Sequence, residues 1–200
     1  MYNGNRSRIF PVILVLIVVA IAIAALVSVG RAIFGGDDPA AQSQVDVGRD
    51  ALLTISSDRS VRMTVRGAIV ADEDFRSYRV TVTPGNRTLT TYKGYLESSI
   101  ATKRYNNNNK AYEEFVYALD KANYMKGEAL TGDKDDTRGI CATGQVYEYE
   151  VLEGTNVVKR LWTSTCKGSP GSFKASISQV EGLFLKQIPA SKDLLKAVDL

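Results

Sequence analysis

The only thiols in the 200-residue chain are Cys141 and Cys166, and what they can do depends on the compartment that holds them. In an oxidising space an even pair reads as one disulfide. In a reducing space it reads as two buried thiols or half of a metal site. The chain contains no histidine, which removes serine or cysteine nucleophiles that depend on imidazole, and zinc sites built on it. It carries no Walker A loop, dinucleotide fingerprint or glycine-flanked serine elbow. Asp133, Asp135, Asp136 and Thr137 begin like an oxygen-ligand loop for calcium. Arg138 then stands where that pattern needs its turn glycine, and Gly144 where it needs a bidentate glutamate,. These acids therefore read as a solvated turn, as do Asp72, Glu73 and Asp74. No metal or other cofactor is expected. An envelope hydrolase or transferase using a carboxylate pair or a Ser-Lys dyad stays open as an alternative, but no spacing nominates a catalytic residue.

Aromatic residues offer a different chemistry. Tyr92, Tyr95, Tyr147, Tyr149 and Trp162 fall on two candidate hairpins. Turned outward, they make a flat amphipathic surface of the kind that contacts protein or glycan. Turned inward, they are ordinary strand aromatics packed on helices. Asn86-Arg87-Thr88 is a short glycosylation sequon at a turn.

The compartment follows from the N-terminal segment. Ile9 to Val29 carries no charge and one hydroxyl, Ser28, and is flanked by Arg6, Arg8 and Arg31. At about 1.5 Å per residue a helix of this length spans the roughly 30 Å hydrocarbon core of a bilayer. The arginines on the short side place residues 1–8 in the cytoplasm and the remainder outside. A cleaved signal peptide is the competing reading, but a secretory apolar region is usually about 7 to 15 residues. The expected partner is thus the lipid bilayer through residues 9–29. Residues 30–44, with Gly30, Gly35, Gly36 and Pro39, read as a linker, and 45–200 as one extracytoplasmic domain,. Three of the 25 basic residues flank the apolar run, leaving 22 against 22 acidic ones. That balance leaves no electrostatic footprint for nucleic acid.

Within the domain, Val61, Met63, Val65 and Ile69 alternate with polar residues, as do Tyr78, Val80 and Val82, which is the period of half-buried strands. Gly85-Asn86 suits a tight turn, placing Val82 opposite Leu89 and Val80 opposite Thr91. Tyr147 to Leu152 turns through Glu153-Gly154-Thr155-Asn156, placing Val151 opposite Val158. That register leaves Cys166 only diagonal to Cys141, so a bulge is needed to bring the sulfurs together. A gap-free offset of 69 residues aligns Tyr78 with Tyr147, Val82 with Val151, Gly85 with Gly154 and Phe115 with Phe184, which suggests a hairpin-helix pseudo-repeat. Tyr112, Phe115, Leu119 and Ala122 follow a helical period behind Asn109, with Gly127 beyond the end. Ser178 and Glu181 have capping-box spacing ahead of Leu183, Phe184 and Ile188, and Pro189 ends that helix. A last short helix starts at Ser191. The expected fold class is α+β: a transmembrane helix, then an antiparallel sheet with two helices on one face.

Ser57-Asp58-Arg59-Ser60-Val61-Arg62, Gly67 and Phe75-Arg76-Ser77-Tyr78 resemble uncharacterised single-pass envelope proteins of the Saccharibacteria type. The resemblance implies a small bacterial protein exposed at the envelope, with no assigned activity. The leading expectation is a membrane-anchored extracytoplasmic binding module for an envelope or host-surface protein or glycan. A subunit of a surface filament or membrane complex is a third class. The chain lacks the glutamate in the apolar run that type IV pilins carry.

Overall fold

The computed structural model describes residues 46–196 and residue 198. The expected tail, membrane helix and linker lie outside the described residues. Among the described residues no helix is long and apolar enough to cross a membrane.

The elements run α1 (Val47–Leu53), β1 (Arg59–Arg66), β2 (Arg76–Val82), β3 (Asn86–Lys93), β4 (Ser98–Asn106), α2 (Asn109–Lys121), a 3-10 turn (Gly132–Asp135), β5 (Val146–Glu153), β6 (Asn156–Ser164), α3 (Ile177–Lys186) and α4 (Ser191–Leu195). The strands form one antiparallel sheet in the order β4-β3-β2-β1-β5-β6. This is the α+β arrangement the periodicity predicts. Its centre is β1, whose Val61, Met63 and Val65 face Val82, Val80 and Tyr78 on one side. On the other side they face Val151, Tyr149 and Tyr147. Residues paired across antiparallel strands share a face, and this face is buried beneath Tyr112, Phe115, Val116 and Leu119 of α2 and Val180 and Phe184 of α3. The Phe115 and Phe184 rings meet edge to face, 5.3 Å apart.

The caps differ from expectation by one or two residues. Asn108, not Asn109, caps α2 by accepting from the Ala111 amide at 2.9 Å. Ser176, not Ser178, caps α3 through the Gln179 amide. Glu181 is thereby freed from capping and instead accepts from the Tyr78 hydroxyl at 2.7 Å. Residues 47–53 form a helix that apolar periodicity over so short a stretch does not announce. Asp46 caps it, accepting from the Gly48 and Arg49 amides.

Both hairpin registers shift from those expected. Val80 pairs with Leu89 and Val82 with Arg87, two residues from the expected register, because Pro84-Gly85 occupies the turn. The ring of Pro84 presets the first turn position, and Thr83 N donates to Asn86 O at 2.8 Å. In β5-β6, Glu153 pairs with Asn156 as expected, but the register slips between Val151 and Leu152, so that Val151 faces Lys159. This slip is not the one expected to join the cysteines: it carries Cys166 towards Gly144, away from Cys141, and the sulfurs meet because residues 141–144 turn back, with Gly144 N donating to Cys141 O at 3.2 Å.

The 69-residue offset does not describe a structural repeat. Tyr78 and Tyr147 do flank the same residue, Val65. However, β2 and β5 run in the same direction with the same face buried, while β3 lies outside β2 and β6 lies outside β5, in opposite lateral directions. Two such hairpins are related as mirror images, and no rotation superposes them.

The β4 edge is exposed along almost its whole length. Lys103 and Arg104 on it, and the irregularity opposite Thr91/Tyr92, are the devices that keep an open edge from pairing with other chains.

Candidate functional site

The structure disperses the five aromatics that the sequence proposes as one surface. Tyr147 (5% exposed) and Tyr149 (0%) lie on the helix side of the sheet, within the main core. Burial, with Glu181 nearby, pushes the Tyr147 phenol up to about 12. Trp162 lies on the opposite face but is 4% exposed. It belongs to a second, small apolar cluster with Cys141 and Val146, closed over by Leu130 and Ile140. Tyr92 is half-buried on that face, with the Arg79 guanidinium over its ring at 5.2 Å. Only Tyr95 keeps substantial exposure, 47%. A flat outward surface of all five rings is therefore not formed, because strand alternation turns two inward and the loop after α2 covers a third.

That covering loop is what the disulfide holds. Cys141 and Cys166 are bonded, with Cα atoms 5.3 Å apart. Gly144 makes the approach possible. A Cβ there would collide with Thr165 Oγ1 and sit 2.8 Å from Cys141 Sγ. Loop and sheet are also joined by charge. Arg66 of β1 donates to Thr137 Oγ1 at 2.6 Å and pairs with Glu148 at 3.1 Å. Glu148 also accepts from Arg160 at 2.9 Å, and Arg160 reaches Asp135 at 2.7 Å. The Arg138 guanidinium hydrogen-bonded to Asp136 holds that carboxyl down at about 2. Asp135 and Asp136, two of the acids that resembled a calcium loop, thus face guanidinium groups. Among the described residues there is no group of three or more Cys, Asp or Glu placed to hold a metal ion.

A concavity lies at the sheet end where β1 and β3 finish and β2, β4 and β5 begin. It has a volume of about 230 Å³, and its walls include Ile69, Phe75, Tyr95 and Ile140, with Arg66 and Arg138 at the margin. Its geometry is fixed by Tyr95. The ring stacks on Phe75 at 4.1 Å between centroids. Its hydroxyl donates to Val70 O at 2.7 Å and accepts from Val70 N at 3.1 Å, while the Tyr95 amide donates to Asp72 at 2.8 Å. The β3-β4 turn is in this way clipped to the β1-β2 loop.

Around the cleft the surface is unusually apolar. Ile69, Val70, Tyr95, Leu96 and Ile100 are all at least 44% exposed, and Leu96 reaches 93%. Ile69 and Val70 come from the β1-β2 connection and Tyr95 and Leu96 from the β3-β4 connection at the same end of the sheet, while Ile100 lies near the start of β4. Grouped exposure of this kind marks a contact surface, whereas a single exposed apolar residue is ordinary. Glu148 and Asp136 beside the cleft are each engaged by arginine, and Asp72 accepts from the Tyr95 amide. The arrangement is thus suited to holding apolar groups rather than to proton transfer. Sequence reasoning singled out Tyr95 but missed Ile69 as a surface residue, reading it as the end of a strand, and it missed Leu96 and Ile100 altogether. The one available signal was the apolar Tyr95-Leu96 pair inside a glycine-containing turn. No family model matches the chain, and no curated protein matches it.

Proposed function

We propose that this chain is a membrane-anchored extracytoplasmic binding module. Residues 9–29 span the bilayer with the N-terminus in the cytoplasm, and the domain after the linker contacts another envelope or host-surface component. The observation that carries the reading is the exposed apolar end of the sheet, where Ile69 and Tyr95 line a preformed cleft and Val70 and Leu96, on the same two connections, are also exposed. Preorganisation lowers the entropy lost on association, and anchoring confines the module to the surface where its partner sits. The bonded Cys141–Cys166 pair supports the oxidising side of the membrane,.

Two measurements test this. Protease added to intact cells is expected to digest the domain while leaving cytoplasmic proteins whole. A photo-crosslinking amino acid at position 96 is expected to form adducts in intact cells, and the same group at Val157, also exposed but on β6, is not. A protected domain, or equal labelling from both positions, overturns the proposal.

A further inference from the structure

We infer that a second concavity, on the helix side of the sheet, binds a small zwitterion of the amino-acid class, with Glu181 taking the ligand's amine and Lys192 its carboxylate. This site lies apart from the contact surface at the sheet end, since the two concavities share no lining residue.

The concavity has a volume of about 350 Å³, near the lower end of the roughly 300 to 1,000 Å³ of sites that enclose small molecules. Tyr78 of β2, Gln145 just before β5, Glu181 of α3, and Lys192 and Leu195 of α4 line it, together with Val198. Two of its polar groups are held in place by tyrosines. The Tyr78 hydroxyl, on a side chain 3% exposed, donates to Glu181 Oε1 at 2.7 Å. Burial, with the Glu181 charge beside it, keeps that phenol protonated. The Tyr147 hydroxyl donates to Gln145 Oε1 at 2.7 Å. These bonds fix side chains that would otherwise sample several rotamers, which lowers the ordering cost of binding.

Charge identifies the ligand class. On the opposite face of the sheet Arg62 meets Glu150, and Arg66, Glu148 and Arg160 form a continuous chain. In this cavity the opposite charges do not neutralise one another. Lys192 makes no ion pair among the described residues. Glu181, which does not cap its helix, has the Tyr78 hydroxyl as its one hydrogen-bond partner among the described residues. A carboxylate can accept about four hydrogen bonds, so most of that capacity is left for a guest. Lys196 also lines the cavity, but Asp193 engages it at 2.6 Å. One unpaired cation and one under-used anion therefore share one small space. A simple anion there is repelled by Glu181 and a simple cation by Lys192, whereas an amine and a carboxylate on one short frame satisfy both. Leu195 and Val198 give the aliphatic part of such a molecule an apolar wall.

The test is calorimetric titration of the full chain in detergent with leucine, as both enantiomers, and with two analogues that each lack one charge, leucinamide and isocaproate. Leucine of at least one hand is expected to bind with a dissociation constant of about 1 mM or tighter. Each analogue is expected to bind about tenfold or more weakly, the size of one lost charge-assisted hydrogen bond. Lys192→Met is expected to abolish the preference for leucine over leucinamide while keeping the preference over isocaproate. Glu181→Gln, which retains an oxygen for the Tyr78 hydroxyl, is expected to do the reverse. A Glu181 that serves only to hold Tyr78 would leave both preferences unmoved. The proposal is overturned by the absence of saturable binding of either enantiomer, by analogues that bind as tightly as leucine, or by preferences unchanged in both variants. The ligand comparison on the wild-type chain decides the matter where a variant fails to fold. Crosslinking from position 96 tests the sheet-end contact separately.

Discussion

Removing one oxygen atom from Tyr124 should cost about 2 kcal/mol. Tyr124 follows α2, and its side chain is fully enclosed against the sheet. Its hydroxyl lies 2.9 Å from both Arg62 O and Glu150 O and accepts from the Glu150 amide at 3.0 Å. One hydroxyl carries one proton, so Tyr124→Phe removes one donated and one accepted hydrogen bond, each worth about 1 kcal/mol net in a folded protein. The lost bonds fall where β1 and β5 pair, at the centre of the sheet, and burial keeps water from replacing them. Burial likewise holds the phenol protonated, far above its ordinary range. For a domain of about 150 residues, 2 kcal/mol corresponds to a fall of roughly 4 to 8 °C in melting temperature. Tyr149→Phe is the internal control. That hydroxyl is also buried but meets no hydrogen-bonding group of the protein, so its removal should be neutral or slightly stabilising. Urea unfolding of the full chain in detergent measures both variants, and amide exchange at Glu150 reports the site directly. If Tyr124→Phe falls within about 0.5 kcal/mol of wild type and Glu150 exchanges no faster, the hydroxyl is not the bracket described here.

Three further outcomes follow from the same structure. Replacing Cys141 and Cys166 together with serine releases a loop of 25 residues. The chain-entropy relation assigns that loop about 3.5 kcal/mol, so melting should drop accordingly, and non-reducing peptide maps of the wild type should contain the two cysteines joined. Ala190 sits at φ +55 before α4, where a side chain is strained by roughly 1 to 2 kcal/mol. Ala190→Gly should therefore raise stability by about 1 kcal/mol after the greater unfolded-state freedom of glycine is deducted, and a lowered urea midpoint would contradict the strain. Asp120 is held below its ordinary range by its hydrogen bond from Arg49, and Asp46, although partial burial opposes it, by Lys159 and the backbone amides. A folded-state pKa depressed below the unfolded value of about 3.9 adds stability that is complete above that value and is lost as pH falls through it. The stability gap between wild type and Asp120→Asn should thus narrow steadily below about pH 4, and a gap that is constant down to pH 2 would exclude the ion pair as its source.

The fold was legible wherever a strand buries only one face. Val61, Met63 and Val65, and Tyr78, Val80 and Val82, alternate in sequence because the sheet is covered by helices on one side, and the helical spacing of Phe115 and Leu119 reports the matching side of α2. The Cys141–Cys166 bond was legible from the even pair of cysteines, but the means was not: the β5-β6 slip runs away from Cys141, and the turn at residues 141–144 brings the sulfurs together instead. Register at the β2-β3 turn was not. Thr83-Pro84-Gly85-Asn86 contains two candidate turn centres one residue apart, and choosing between them moves every cross-strand pair by two residues. Edge strand β4 carries no alternating pattern, because its side chains are exposed on both faces.

The candidate surface was the least legible part, for a physical reason that also indicates how such a surface is made. The alternation of Tyr147 and Tyr149 with Glu148 and Glu150 already aligned these tyrosines with Val151, the core side. Trp162 followed no such logic. It lies on the face opposite the helices and is buried because the loop after α2, which has no periodicity, is held across it by the disulfide and by the Arg66–Glu148–Arg160–Asp135 chain of charges, and because the segment after β6 brings Gly171 against the indole. The same loop supplies Ile140, Gly139 and Arg138 to the cleft. One covalent bond and one ion network therefore do two things at once: they hide an indole that would otherwise make the sheet adhesive, and they raise one wall of the cleft at the sheet end. Exposed apolar area is in this way moved from a broad face, where contacts are indiscriminate, to a rimmed concavity, where shape selects what enters.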